Sequence, residues 1–292
     1  MSACAITDHG VLYGVIEFYK EARKTGITPL IGVEAYVTFD EDGIEDNKHK
    51  TRDNHHCIMV AQNEVGLRNL FWLTNQANLH NFYYRPRISV ENLRKRSEGI
   101  VATSSCLGGV VSKHGVYDRG NHTFTDPGGD AKRALENFTE IFGGRFYAEL
   151  QDNPEFWQQE AYNRWLVTAA RDMRIPMVIT ADAHFLNQQE KSTHELVMAH
   201  QMKCTLEEYV GDEDGMVYGD GHYIRSPEEM YQAALKYGAE EAFWNTTEIV
   251  KDVQLDLTLG DYKSPIFDIT QEDDYKDFQQ WRETRYSCET NA

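Results

Sequence analysis

The chain has 292 residues, 41% hydrophobic and 12% aromatic, which suits one large or two modest globular domains and excludes a disordered polymer. A formal net charge of −18 argues against strong, non-specific nucleic-acid binding by the whole surface, but leaves room for a small cleft where metal ions meet phosphates. No apolar run approaches the roughly 18–20 residues of a bilayer span, so no membrane partner is expected.

Met1-Ser2-Ala3-Cys4 leads straight into a strand-like segment, with no signal peptide. Thr7-Asp8-His9-Gly10 follows. Val11 to Lys24 reads as a helix with Val15, Phe18, Tyr19 and Ala22 on one stripe. Gly26 stops it, and Pro29 starts an extended segment whose strand runs from Leu30 to Thr38. Phe39 to Asn54 reads as a charged loop, Ile58 to Ala61 as a short buried strand, and about Glu64 to Leu79 as a helix. Arg85-Pro86-Arg87 marks a turn, Val90 to Arg96 a short helix, and Ile100 to Thr103 a strand. Asp118 to Asp130, rich in Gly, Pro and Asp, reads as a loop. A helix over Ala131 to Phe142 ends at Gly143-Gly144 and a strand spans Arg145 to Leu150. A long helix from Pro154 to about Asp172 precedes a strand over Pro176 to Ala181 and a helix over Gln188 to Met202. Ser226-Pro227-Glu228-Glu229 has the form of a helix start, with Ser226 as N-cap. Glu240 to Val250 reads as the last helix. The alternation implies an α/β fold with a mainly parallel sheet, barrel-like rather than open. No glycine-rich phosphate loop is present.

Side chains of the metal-ligand type stand at the ends of these strands, and strand ends meet at one mouth in such folds. Asp182 and His184 share a face of an extended segment, because the strand period is two. Both can reach one ion, or Asp182 can cap a helix while His184 lies at the surface. Asp8 can cap the first helix or orient a neighbouring ligand. Glu34, at the end of an apolar strand, needs a partner or a cation. His55 and His56 are adjacent and point opposite ways in a strand, so at most one is a ligand. Cys106 can be a buried apolar cysteine or a thiolate ligand. The five cysteines, Cys4, Cys57, Cys106, Cys204 and Cys288, form no CxxC pair. A reducing, cytoplasmic setting is expected. His49, His80, His114, His122, His194, His200 and His222 carry no assignment. Trp72, Trp157 and Trp165 read as core or boundary residues.

Several ordered motifs carry a family resemblance. Ala5-Ile6-Thr7-Asp8-His9-Gly10-Val11-Leu12-Tyr13-Gly14, Gly32-Val33-Glu34-Ala35-Tyr36 and Asn81-Phe82-Tyr83-Tyr84-Arg85-Pro86-Arg87-Ile88 come first. Ser105-Cys106-Leu107-Gly108-Gly109, Arg145-Phe146-Tyr147-Ala148-Glu149-Leu150-Gln151 and Asp182-Ala183-His184-Phe185 follow in order. Together, over roughly residues 3 to 260, the chain resembles the polymerase and histidinol phosphatase (PHP) domain, in the branch at the amino end of bacterial DNA polymerase III alpha subunits.

The resemblance implies a distorted α/β barrel of seven βα units, with a trinuclear metal site at its mouth. Its implied ligands are His9, Glu34, His56, Cys106, Asp182 and His184, for zinc or manganese. His56 is chosen over His55 because it lies closer to the apolar strand. The family opens on an HxH strand, and the match begins at what would be the second strand. The barrel is therefore expected to lack its first βα unit, leaving two exposed sheet edges. The start codon would be misplaced or the gene split. The barrel is expected over residues 1–257 and an acidic linker or tail over 258–292; Asp252 and Asp256, read together with the tail region, are not the polymerase aspartate triad. The implied function is the PHP region of a replicative polymerase alpha subunit, with DNA and replisome subunits or a missing polymerase fragment as partners. With the first strand absent the site would lack three of the family's nine ligands, so residual metal binding is expected more than full metal-dependent 3′→5′ exonuclease or phosphoesterase chemistry. The alternatives are a non-catalytic bracing or partner-binding module, and a small-substrate phosphoesterase of the histidinol-phosphatase type.

Overall fold

A computed structural model describes residues 2–39, 53–211 and 218–260, with 276, 279 and 280. The chain divides into two units, Met1–Asp256 and Leu257–Ala292. Most of the expected charged loop over Phe39 to Asn54, and most of the expected tail, lie outside the described residues, as does His49.

The first unit is built on an eight-stranded sheet. In chain order its strands are β1 (Ala3–Ile6), β2 (Thr28–Thr38), β3 (His55–Ala61), β4 (Phe82–Tyr83), β5 (Arg85–Ser89) and β6 (Ile100–Thr103). A small hairpin, β7 (Val116–Asp118) and β8 (Thr123–Thr125), stands apart from it, and β9 (Phe146–Gln151) and β10 (Met177–Thr180) complete the sheet. The helices are α1 (Val15–Lys24), α2 (Glu64–Leu79), α3 (Val90–Arg96), α4 (Asp130–Phe142), α5 (Trp157–Met173), α6 (Lys191–Met202), α7 (Leu206–Val210), α8 (Pro227–Lys236) and α9 (Glu240–Asp252). The spatial order is β10-β9-β6-β3-β2-β5-β4, with β1 on the first half of β2.

The sheet is mixed rather than mainly parallel. β1–β2, β2–β5, β6–β9 and β9–β10 are parallel, but β3 runs antiparallel to both of its neighbours, β2 and β6. The curled sheet with its helices is the arrangement of a PHP-type α/β barrel. Among the described residues β1 pairs only with β2 and β10 only with β9.

Register sorts the side chains into two faces, because neighbouring residues on a strand point oppositely and cross-strand partners point together. On one face stand Tyr36 opposite His56, Glu34 opposite Ile58, and Ile58 opposite Thr103. The same face continues through Tyr147 on β9 and through Val178 and Thr180 on β10, which lie opposite Glu149 and Gln151. Its floor is apolar, with buried Val101, Tyr147 and Val178 packed against Ile249 of α9. The other face carries Val33, Val37, Met59, Ala102, Phe146, Ala148 and Ile179, all buried. That division puts the polar groups of five strands on one concave side.

Three local expectations are corrected. Arg85-Pro86-Arg87 is not a turn but the start of β5, whose Arg87, Ile88 and Ser89 pair with Tyr36, Val37 and Thr38. The loop over Asp118 to Asp130 contains β8, which closes the hairpin with β7. Asp252 ends α9, and Asp256 Oδ1 accepts a hydrogen bond from Arg23 on α1 at 2.8 Å, so both belong to the first unit and not to a tail. Elsewhere the capping logic holds. Asn63 accepts from the N–H of Gly66 at the start of α2, and Ser226 forms a capping box with Glu229 at the start of α8. Trp72, Trp157 and Trp165 are half-buried.

Candidate metal centre

The centre grows from backbone pairing. Beyond the end of β1, the N–H of Glu34 donates to the Asp8 carbonyl (3.0 Å) and the N–H of Gly10 donates to the Glu34 carbonyl (2.9 Å). This isolated bridge sets His9 beside Glu34. Gly10 takes φ +68°, and a Cβ there would stand 2.6 Å from Cγ of Pro86. A glycine is therefore required for the chain to turn out of β1 at this point. On the other side, the N–H of His56 donates to Gly108 (2.9 Å) and the N–H of Val110 donates to His56 (3.0 Å). The loop carrying Cys106 is thereby locked to β3.

The side chains converge. Glu34 Oε1 lies 2.6 Å from His56 Nδ1, and Oε2 lies 3.6 Å from His9 Nδ1. Cys106 Sγ is 3.4 Å from the same His56 nitrogen and accepts from the N–H of Gly108 at 3.3 Å. Ligand-type atoms of His9, Glu34 and His56 lie within 4.8 Å of one another, and so do those of Asp182, His184 and His222. The rings of His9 and His184 are 6.5 Å apart, so the two triads are neighbours. All six residues expected from the sequence are thus gathered at one mouth, with His222 added.

Of the adjacent pair, His56 points to this mouth. His55 points to the opposite face, with its Nε2 2.5 Å from Asp53 and its ring stacked on His114 at 4.9 Å. Asp8 turns to the backbone ahead of the first helix rather than to a neighbouring ligand. Its Oδ2 accepts from the N–H of Gly14 at 3.1 Å, ahead of α1.

The electrostatics are those of a crowded acidic pocket. Burial pushes the Glu34 carboxyl up, but the hydrogen bond and charge of His56, with the charges of His9 and His184, outweigh it and the net shift is downward. Asp182 is pushed up to about 8, by burial first and then by Glu34 and Glu149. Burial, with Asp182 and Glu34 adding, pushes the Cys106 thiol up. Behind them Glu149 is fully enclosed and raised by burial, although it accepts from Thr103, from Thr180 (2.6 Å) and from Gln151 (3.1 Å). Burial lowers His184, and lowers His222 to about 4. Asp182 and Glu149, which resist ionisation, stand beside His184 and His222, which resist protonation, and a cation would relieve both.

The sequence profile of the PHP domain matches residues 1–153. The chain belongs to the PHP domain family. Among curated relatives, the DNA polymerase III subunit alpha of Thermus aquaticus is 36% identical over 272 residues, covering 91% of this chain and 21% of the relative. That of Borreliella burgdorferi is 34% identical over 273 residues, covering 91% and 22%, and that of Aquifex aeolicus is 34% identical over 269 residues, covering 85% and 21%. The chain spans about a fifth of the length of these relatives.

The donor set of this PHP domain fits divalent metal ions. It combines imidazole, carboxylate and thiol donors at strand ends, with Glu34 shared between two imidazoles. Sequence reasoning left His222, His194 and Tyr218 unassigned. His184 lies 4.1 Å from Tyr218 and 5.8 Å from His194, ring to ring. His222 and Tyr218 come from an irregular stretch before α8, where no periodicity marks an inward face, and His194 sits in α6 without a partner for its Nδ1. Residue type was their only signal. No helix among the described residues is long and apolar enough to cross a membrane.

Proposed function

We propose that this chain is the PHP region of a DNA polymerase III alpha subunit, and that its mouth holds zinc or manganese to hydrolyse phosphodiesters at DNA 3′ ends. The polymerase assignment rests on relatives of that name matching most of the chain. The observation that carries the chemistry is the Glu34 carboxylate held between His9 and His56, with the Cys106 sulfur against His56. His9, Glu34, His56, Cys106, Asp182 and His184 are the residues that would hold the ions. Bound divalent ions supply Lewis acidity and a water that ionises near neutral pH. Glu34 holds both imidazoles in place, and the apolar floor at Val101, Tyr147 and Val178 closes the base of the mouth. DNA and the other replisome subunits are the partners this reading implies, in the cytoplasm.

The test is metal content and 3′-end release from a labelled single strand, with the chain loaded with Mn²⁺ or Zn²⁺. Uptake of metal with release that Glu34→Gln abolishes supports the reading. Release that Glu34→Gln and Asp182→Ala leave unchanged overturns the site. Absence of metal uptake moves the reading to a non-catalytic module that binds partners.

A further inference from the structure

The hairpin of β4 and β5 stands beside the mouth, and the metal centre gives it no part. Its register pairs Phe82 with Pro86 and Tyr83 with Arg85, so Tyr84 alone makes the turn. Tyr84 takes φ +58° there, a left-handed conformation that bulky side chains seldom adopt and that glycine would adopt without strain. A tyrosine ring is nonetheless held at the tip, 59% exposed and nearly perpendicular to the Tyr83 ring at 4.7 Å. A strained residue that presents an aromatic face to solvent points to use of that face.

Arg85 gives the tip its charge and its direction. The exposed Arg85 guanidinium lies over the Tyr36 ring at 5.4 Å. Tyr36 is buried, and its own ring is 5.9 Å from that of His9 and 5.3 Å from that of His56. One aromatic ring therefore separates Arg85 from two imidazoles of the mouth. The hairpin is fixed in that place by Pro86, which fills the space at Gly10 that a side chain would need. Among the described residues Arg85 makes no ion pair and no hydrogen bond, although the chain carries a net charge of −18. Its N–H donors are left facing outward at the rim.

We propose that Arg85 and the Tyr84 ring form a subsite for single-stranded DNA at the rim of the metal mouth, with Arg85 taking a phosphate and Tyr84 stacking on a base. This rests on the phosphodiesterase reading above and deepens it, because it makes the substrate a strand that extends past the scissile bond and not a lone phosphate ester. Aromatic faces for bases beside cations for the backbone are how single strands are held. A guanidinium can lie on an aromatic ring and still present its planar fork to a phosphate. The unpaired cation favours a phosphate-bearing strand over an apolar protein surface as the occupant of this tip.

The experiment follows the anisotropy of a short oligothymidylate, labelled with fluorescein at its 5′ end, as it binds the full chain in Ca²⁺ over a series of salt concentrations. It compares wild type with Arg85→Gln, Arg85→Lys, Tyr84→Gly and Tyr84→Phe, and Mn²⁺ uptake of each is measured separately by metal analysis. Arg85→Gln is expected to weaken binding and to lower the slope of log K against log salt by about 0.7, the single-strand value for one phosphate contact. Arg85→Lys should keep the slope. Tyr84→Gly, which suits the backbone at the tip, should weaken binding by about 5- to 150-fold, and Tyr84→Phe should stay within about twofold of wild type. Mn²⁺ uptake should be the same throughout. Arg85→Gln or Tyr84→Gly binding the strand as wild type does, or an unchanged salt slope in Arg85→Gln, overturns the subsite in favour of a protein-binding hairpin. Wild type that takes up Mn²⁺ but does not hold the strand also overturns it, while the metal centre stands. Strand binding lost in both variants, with no Mn²⁺ uptake by wild type, keeps the subsite and removes the hydrolytic reading. A strand carrying 5-iodouracil gives a second measurement that needs no variant. Irradiation should crosslink it to Tyr84, and crosslinks confined to residues away from the hairpin overturn the proposal.

Discussion

Glu34 and His56 are held as a pair by two strands rather than one. Oε1 of Glu34 on β2 lies 2.6 Å from Nδ1 of His56 on β3, and the two residues sit on the same face because Glu34 registers with Ile58 and Tyr36 with His56. The remaining Glu34 oxygen faces His9, which reaches it from beyond β1. One carboxylate thereby joins three separate segments of the chain.

Removing that junction is expected to be felt first in metal binding. Glu34→Gln keeps shape and burial but removes the charge. Its Mn²⁺ or Zn²⁺ affinity should fall by more than the roughly 10–100-fold typical of losing an outer hydrogen-bond partner of a ligand. Titration calorimetry measures this, and an affinity within threefold of wild type, a margin of about 0.7 kcal/mol, would remove Glu34 from the site.

The metal-free chain should lose stability on the alkaline side. Asp182 is raised to about 8 in the folded chain. Its contribution is fully present below its ordinary range near 4 and is lost as pH rises towards 8, where only the folded state still holds the proton. His222, lowered to about 4, acts in the opposite sense, with stability lost as pH falls from about 6.5 towards 4. Between about pH 4 and 6.5 the two contributions oppose and nearly cancel, so thermal melts in chelator should stay level there and fall from about 6.5 towards 8. Asp182→Asn should remove that alkaline fall, and saturating metal should remove it in wild type. An unchanged alkaline slope in Asp182→Asn would refute the assignment of that limb.

His55 and His56 should separate cleanly. His56→Ala is expected to lower metal affinity, since its ring faces the mouth, and to cost the metal-free chain about 1–3 kcal/mol by leaving the buried Glu34 without its partner. His55→Ala removes a buried ring stacked on His114 and one hydrogen-bond partner of Asp53. It should destabilise by about 1–3 kcal/mol and leave metal stoichiometry unchanged. Denaturant melts with metal analysis on both variants test the contrast, which a reversed pattern would negate.

Gly109 should tolerate no side chain. A Cβ there would lie 2.2 Å from the Ser104 carbonyl oxygen and 2.7 Å from that of Cys106. Gly109→Ala must push the Cys106 loop away from β3. The expected effect is about 1–3 kcal/mol of destabilisation together with weaker metal binding, and normal values of both would show that the loop yields freely.

Much of the helical pattern could be read from local signals. The stop at Gly143, the cap at Ser226 and the stripe of α1 are short-range features that act within a few residues. β5 was hidden because Arg85-Pro86-Arg87 reads as a turn. Pro86 in fact precedes the residues that pair with β2, where its missing N–H is not needed. The reversed direction of β3 was also illegible, since strand polarity depends on which edge the chain returns to and not on composition.

By itself the sequence determined the alternation of strands and helices, the family, and six of the side chains that meet at the mouth. The alternation follows from periods of two and 3.6, and the family and the six side chains from the resemblance carried by the ordered motifs. Tertiary structure decided which face of each strand is inward, because a period assigns neighbours to opposite sides without saying which side is enclosed. It set His56 on the face of the mouth and His55 on the other, through the register with Tyr36. It also brought in His222, which no local pattern marks, by pairing Tyr223 with Phe185 across the mouth.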